Sequence, residues 1–167
     1  MSAFPAESIV EKSNAYWGII WGGLLAGTLD ITAACINGAL SSGRTPLWVL
    51  QSVASGWLGA DSYKGGFASA ALGLVTHFFI AFTATTVYFL ASRKFSFLLQ
   101  QALLCGVLYG IAVYMFMYMV VIPVTFSRKF SAPVSAIITP VLIHIFCVGL
   151  PIALMVKRFS VASPDSE

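Results

Sequence analysis

Residues 17–40 read WGIIWGGLLAGTLDITAACINGAL, an apolar run long enough to cross a bilayer and therefore the stretch that decides the fold. Within it Gly23, Gly27, Asp30, Ala34 and Asn37 recur at steps of 4, 3, 4 and 3. On a helix these steps place two glycines, a carboxylate, an alanine and an amide along one stripe. The glycines allow a neighbouring backbone to come close, as in small-xxx-small membrane packing. Asp30 falls near the middle of the run, where an ionisable group is costly in hydrocarbon and faces protein or water. The stretch predicts a membrane helix whose polar stripe is received by other helices.

The rest of the chain extends this pattern. Of 167 residues, 59% are hydrophobic and 9% charged, against about 25% charged in soluble domains; the mean hydropathy is +0.90. Four spans are expected, at about 16–40, 67–91, 97–124 and 133–156, in a single membrane domain of all-α, polytopic four-helix-bundle class. The net charge of +3 comes from Lys and Arg at span ends. That is topology charge rather than a nucleic-acid patch, so no nucleic-acid partner is expected. Cys35, Cys105 and Cys147 fall in three spans without a CxxC pair and read as small core residues. The acidic start, with Glu7 and Glu11, is unlike a secretory signal, and the first span is expected to be retained.

Between spans 1 and 2, residues 46–58 are too few to cross a membrane. Thr45 is placed to cap a helix that opens on Pro46. Leu47, Leu50, Ala54, Trp57 and Leu58 form its apolar stripe, opposite Ser52, Ser55, Gly56 and Gly59. The expectation is an amphipathic helix that lies at the interface or dips in and returns. Trp48 and Trp57 suit the interfacial belt, and Arg44, Gln51 and Lys64 are candidates for contact with lipid headgroups.

Four spans put both ends on one side, with Lys12, Arg93, Lys94, Lys157 and Arg158; Arg44, Lys64, Arg128 and Lys129 fall on the other. Five basic residues against four favours cytoplasmic termini. A faint internal repeat sets GGLLAGTLD (22–30) beside CGVLYGIAV (105–113), and LGLVTHFFIAF (72–82) beside PVLIHIFCVGL (140–150). It predicts two parallel helical hairpins, each with a GxxxG helix and a helix bearing a central histidine, His77 or His144, and it packs spans 1 and 3 through their glycine faces. Pro123, Pro140 and Pro151 are expected to distort spans 3 and 4.

Asp30, His77 and His144 are three ionisable residues at similar depth on three spans, and they carry the functional readings. With Asn37 and Tyr109 they could line a midplane pocket for a small molecule or lipid, or an ion relay. As two histidines and a carboxylate they could hold a divalent metal, or the two imidazoles a haem iron. They could also serve helix packing alone. No HExxH, CxxCH, GxSxG or phosphate loop is present, so an enzyme reading has little support. Tyr109, Tyr114 and Tyr118, with Met115, Met117 and Met119, read as a soft core lining. Four short spans leave little room for a complete carrier, so transport would imply a homodimer or a membrane partner protein.

The segments GTLDI (27–31), RTPLWVLQSVASGWLG (44–59), GGFASAALGLVTHF (65–78) and YMVVIP (118–123) resemble a family of small uncharacterised bacterial inner-membrane proteins. The likeness runs from Gly22 to about Pro123 and matches its pattern at Asp30, Arg44, Gln51, Ser55, Gly56, Gly59 and His77. It implies an inner-membrane location and carries no activity; His144 lies outside it.

Overall fold

A computed structural model describes residues 6–123 and 134–160. The turn at Ser127, Arg128 and Lys129, the start of span 4 at Pro133, the first five residues and the last seven lie outside them. Among the described residues every regular element is helical. They run α1 (Ala6–Ser42), α2 (Pro46–Leu58), a 3-10 segment (Gly59–Lys64), α3 (Gly66–Lys94), a one-turn α4 (Phe97–Gln100) and α5 (Ala102–Phe116). A π-helical segment (Met117–Val121) continues α5; from residue 134 come α6 (Val134–Ile143), a second π-helical segment (His144–Gly149) and α7 (Leu150–Ser160).

Four stretches are long and apolar enough to cross a membrane: Tyr16–Ser42, Gly66–Lys94, Ala102–Val121 and Ile137–Ser160. The chain is thus an all-α, multi-pass membrane helix bundle with one short helix between its first two spans. The third span begins later than the expected residue 97. At Gln101 the backbone leaves helical geometry (φ −104, ψ 44), so Phe97–Gln100 stands apart as its own turn.

The spans run alternately up and down. Tyr16 meets Phe89 with ring centroids 6.2 Å apart, and a Cβ on Gly18 would lie 3.2 Å from the Val156 Cα. The start of α1, the end of α3 and the end of α7 therefore share one end of the bundle, which gathers Arg93, Lys94, Lys157 and Arg158.

Glycines set the close approaches, but not between spans 1 and 3 as expected. A Cβ on Gly27 of α1 would meet the Phe78 ring of α3 at 2.7 Å, and Gly23 likewise faces Phe82. On α5, a Cβ on Gly106 would lie 3.1 Å from the Gly149 carbonyl oxygen, and one on Gly110 2.6 Å from that of His144. Each glycine pair thus receives the next span of its own hairpin. A smooth helix face accepts any helix that can lie flat against it, and for both glycine pairs that is the antiparallel span that follows in the chain. The two hairpins suggested by the repeat are both formed, 1 with 2 and 3 with 4.

Helices α3 and α5 meet through long side chains. The Tyr109 hydroxyl donates to the Ala84 carbonyl at 2.7 Å, and Tyr109 packs edge-on against Tyr88 at 5.0 Å. Buried Tyr88 donates in turn to the Leu98 carbonyl at 3.0 Å. Elsewhere the interior is rich in small residues, among them Ala26, Ala81, Ala102, Cys105 and Ala153, packed with Phe89, Ile152 and Val156, while most Leu and Phe side chains line the outside. Lipid is as apolar as leucine, so large hydrophobes gain little by turning inward and close backbone packing takes the interior.

The same rule orients α2. Its ends are as expected: the Thr45 hydroxyl accepts from the Trp48 amide at 3.2 Å, Pro46 opens the helix, and Gly59 (φ 59) closes it. Its inner face, however, is Val49, Gln51, Ala54 and Ser55, while Trp57 is 71% exposed. The expected apolar stripe is split: Trp57 and Leu58 face outward, Leu47 and Leu50 are half-buried and Ala54 is buried. Gln51 is 4% exposed and not a headgroup ligand; its Nε2 donates to the Gly66 carbonyl at 3.0 Å and to Ser69 Oγ at 3.3 Å. Gly73 makes this contact possible, because any side chain there would collide with the Leu50 carbonyl.

Candidate functional site

The side-chain bridge between α3 and α5 leaves space beside it. A cavity of about 240 Å³ lies there, reached by all four spans and α2. Asp30 enters from α1, Ser52 from α2, His77 from α3, Tyr118 from the first π-helical segment and His144 from the second. The structure thus brings Asp30, His77 and His144 to one cavity, as the common depth suggested. Ala26, Ala81, Val113 and Val148 supply apolar wall.

Each polar group is fixed by a local cause. The His77 Nε2 donates to the Gly27 carbonyl at 2.9 Å, tying α3 to the glycine face of α1. The His144 Nδ1 donates to the Pro140 carbonyl, one turn earlier, at 2.9 Å. A carbonyl only accepts, so each bond fixes which nitrogen carries the proton, and in the neutral ring the other is an acceptor. Ser52 Oγ donates to the Val49 carbonyl at 2.7 Å. The one ion pair among the described residues, Lys64 with Asp61 at 3.0 Å, lies elsewhere on the surface.

Both π-helical segments border this cavity, and each ends two residues before a proline: Val121 before Pro123, and Gly149 before Pro151. A proline supplies no N–H to the carbonyl four residues back and crowds it. Those carbonyls belong to Met119 and Cys147, inside the segments, where the wider turn relieves the clash. Pro123 and Pro151 therefore distort spans 3 and 4 as expected, by widening a turn, whereas Pro140 lies inside the α-helical α6. Tyr114 packs between the two segments, 4.4 Å from the Tyr118 ring and edge-on to His144 at 5.4 Å.

A larger groove of about 960 Å³ lies alongside, between α2, α3 and the first π-helical segment. Ser52, Val53, Ile80, Met117 and Ile122 border both spaces. On the outer side are Trp57 and Phe79, both exposed, and the Trp57 Nε1 donates to Thr76 Oγ1 at 3.0 Å.

Other candidates fall elsewhere. Tyr109 is a bridge between α3 and α5, not cavity lining, and Asn37 does not border the cavity. Arg44 sits 4.2 Å over the Trp48 ring, which stacks on Tyr63 at 5.3 Å. Trp57 lines the groove, and Lys64 pairs with Asp61. The metal reading is corrected: among the described residues no three His, Cys, Asp or Glu side chains converge to hold an ion. A haem fits no better. The cavity's 240 Å³ is below the roughly 300–1,000 Å³ of pockets for drug-sized ligands, and the His77 Nε2 is committed to a carbonyl.

Tyr118, Met117 and Ser52 were not singled out as site residues by sequence. The usable signal for the first two was Pro123, whose effect on the preceding turn brings that turn to the cavity. The chain matches no protein-family profile, no curated protein and no solved structure.

Proposed function

We propose that this protein is a binding or transport-type membrane subunit for a small, partly apolar molecule, held by Asp30, His77 and His144 at mid-bilayer. The observation that carries this reading is the single cavity on which three ionisable residues from three spans converge, beside a groove reaching the lipid-facing surface. Met117, on the wall between the two spaces, is an unbranched thioether whose rotation opens one to the other. A molecule entering from the bilayer places its apolar part in the groove and its polar end in the cavity. A packing-only role accounts for one nitrogen of each histidine but gives Asp30 no basic partner among the described residues.

The resemblance to small bacterial inner-membrane proteins and the basic end shared by α3 and α7 support an inner-membrane location with both termini cytoplasmic. A cavity of this size on four short spans suits a subunit acting with a second copy or a membrane partner. Native mass spectrometry of protein extracted in mild detergent tests the binding reading. The parent is expected to carry small lipophilic molecules that Met117→Trp, which fills the shared wall, does not. An empty parent, or the same bound species in both proteins, would refute it.

A further inference from the structure

The hydrogen-bond inventory of the cavity is one-sided. Four of its polar side chains, His77, His144, Ser52 and Tyr118, have both donors and acceptors, and in three of them the structure spends the donor on a backbone carbonyl: His77 on Gly27, His144 on Pro140 and Ser52 on Val49. What they retain is acceptor capacity, namely the His77 Nδ1, the His144 Nε2 and the Ser52 oxygen. Asp30 adds a carboxylate, which only accepts when ionised.

The charge is equally one-sided. Asp30 is the only acidic residue lining the cavity, and no Lys or Arg lines it. Arg93 and Lys94 close α3 and Lys157 and Arg158 close α7, while Arg44 and Lys64 are engaged with Trp48 and Asp61. A carboxylate at mid-span with no cation beside it is expensive in a low-dielectric setting. The Tyr118 ring on the same wall offers a π face, which favours positive charge.

We infer that the molecule held here is a lipophilic amine: a protonated ammonium head that donates to Asp30, in a cavity whose wall also carries the remaining acceptors of His77 and His144, joined to an apolar body. This rests on the binding reading above and specifies its ligand. The head follows from the acceptors and the unbalanced carboxylate. The body follows from the alanine and valine walls, from a space larger than a bare ion needs, and from the groove alongside. An anionic head would face the Asp30 carboxylate, which repels it, and three groups whose donors are already spent on backbone carbonyls.

Three probes of one skeleton separate the possibilities: phenethylamine, phenethyl alcohol and phenylacetate, titrated against the full chain in nanodiscs with unfolding temperature and equilibrium dialysis as readouts. The amine is expected to bind saturably, the alcohol at least about tenfold more weakly and the acid not at all, since one charge-assisted hydrogen bond is worth that factor. Asp30→Asn keeps the shape and is expected to lower the amine to the level of the alcohol. The amine-to-alcohol ratio within each protein cancels any general loss of stability. If Asp30→Asn does not fold, the ranking in the parent decides alone. A preference for phenylacetate or the alcohol, stabilisation by sodium or potassium in place of the amine, or an unchanged ratio in Asp30→Asn would overturn the amine and leave the pocket standing. Binding of none of the three would remove both.

Discussion

Gly149→Ala is the substitution that tests the packing most directly. Gly149 lies where the fourth span crosses α5. A Cβ there would sit 2.5 Å from the Gly110 nitrogen and 2.7 Å from its Cα, and would also strike the Gly106 carbonyl. All three obstacles are backbone, which cannot rotate aside as a side chain does, so the two spans must part. Overpacking of this kind costs about 1–3 kcal/mol, and a crossing with backbone on every side belongs at the upper end. Replacing glycine by alanine within a helix returns roughly 1 kcal/mol, which leaves a net loss of about 2 kcal/mol. Gly38→Ala is the matched control: its Cβ would meet the Val49 methyl at 3.1 Å and the Arg44 Cβ at 3.7 Å, both side-chain atoms. There the helix gain prevails and the change is neutral or stabilising by up to about 1 kcal/mol. Unfolding in mild detergent, followed by tryptophan fluorescence against added SDS, measures both. Because Gly149 ends the segment that carries His144, loss of small-molecule binding should accompany its destabilisation. A Gly149→Ala protein as stable as the parent, or a Gly38→Ala protein that is the less stable of the two, would refute this reasoning.

Gln51→Ala removes a buried amide that holds α2 to the start of α3. A loss of about 1–3 kcal/mol is expected in the same unfolding assay, whereas a lipid-facing glutamine would cost nothing. Tyr109→Phe deletes the hydroxyl bond to Ala84; interhelical hydrogen bonds in membranes average about 0.6 kcal/mol and reach about 1.7, so a small, measurable loss without any effect on ligand specificity is expected from unfolding and binding together. For topology, reporter fusions after residue 160 and in the 59–64 segment should report opposite sides, the former cytoplasmic. The same side for both would mean that one of the four apolar helices does not cross.

The sequence made the spans legible because crossing a bilayer demands length and apolarity, and both are written residue by residue. The ends of α2 were equally plain, since Thr45, Pro46 and Gly59 act locally. The similar depth of Asp30, His77 and His144 was readable from their positions within the spans; their rotation toward one cavity was not. What sequence could not supply was partner choice. Gly23 and Gly27 announce a smooth face and do not say which helix will lie on it. The inner face of α2 was missed for a different reason: the stripe was drawn through apolar residues alone, whereas Gln51 and Ser55, which lipid cannot satisfy, need the interior more than Trp57 does. The metal set failed because equal depth does not fix rotation about each helix axis.

That rotation is where the prolines enter. Each hairpin sets its second glycine against the histidine turn of the following span: Gly27 receives the His77 imidazole through its carbonyl, and Gly110 abuts the His144 carbonyl. In the first hairpin the histidine span is regular, and its side chain is spent partly on closing the pair. In the second, backbone meets backbone, and the His144 side chain turns to its own helix at Pro140. A π-helical turn holds an extra residue, so everything beyond it is rotated relative to an unbroken helix. With one such turn on each strand of the second hairpin, Tyr118 and His144 reach the same cavity that Asp30 and His77 reach from the first. The repeat explains why two histidines lie at one depth. The departure of the second hairpin from the first, marked by Pro123 and Pro151, explains how they come to share a site instead of each closing its own helix pair.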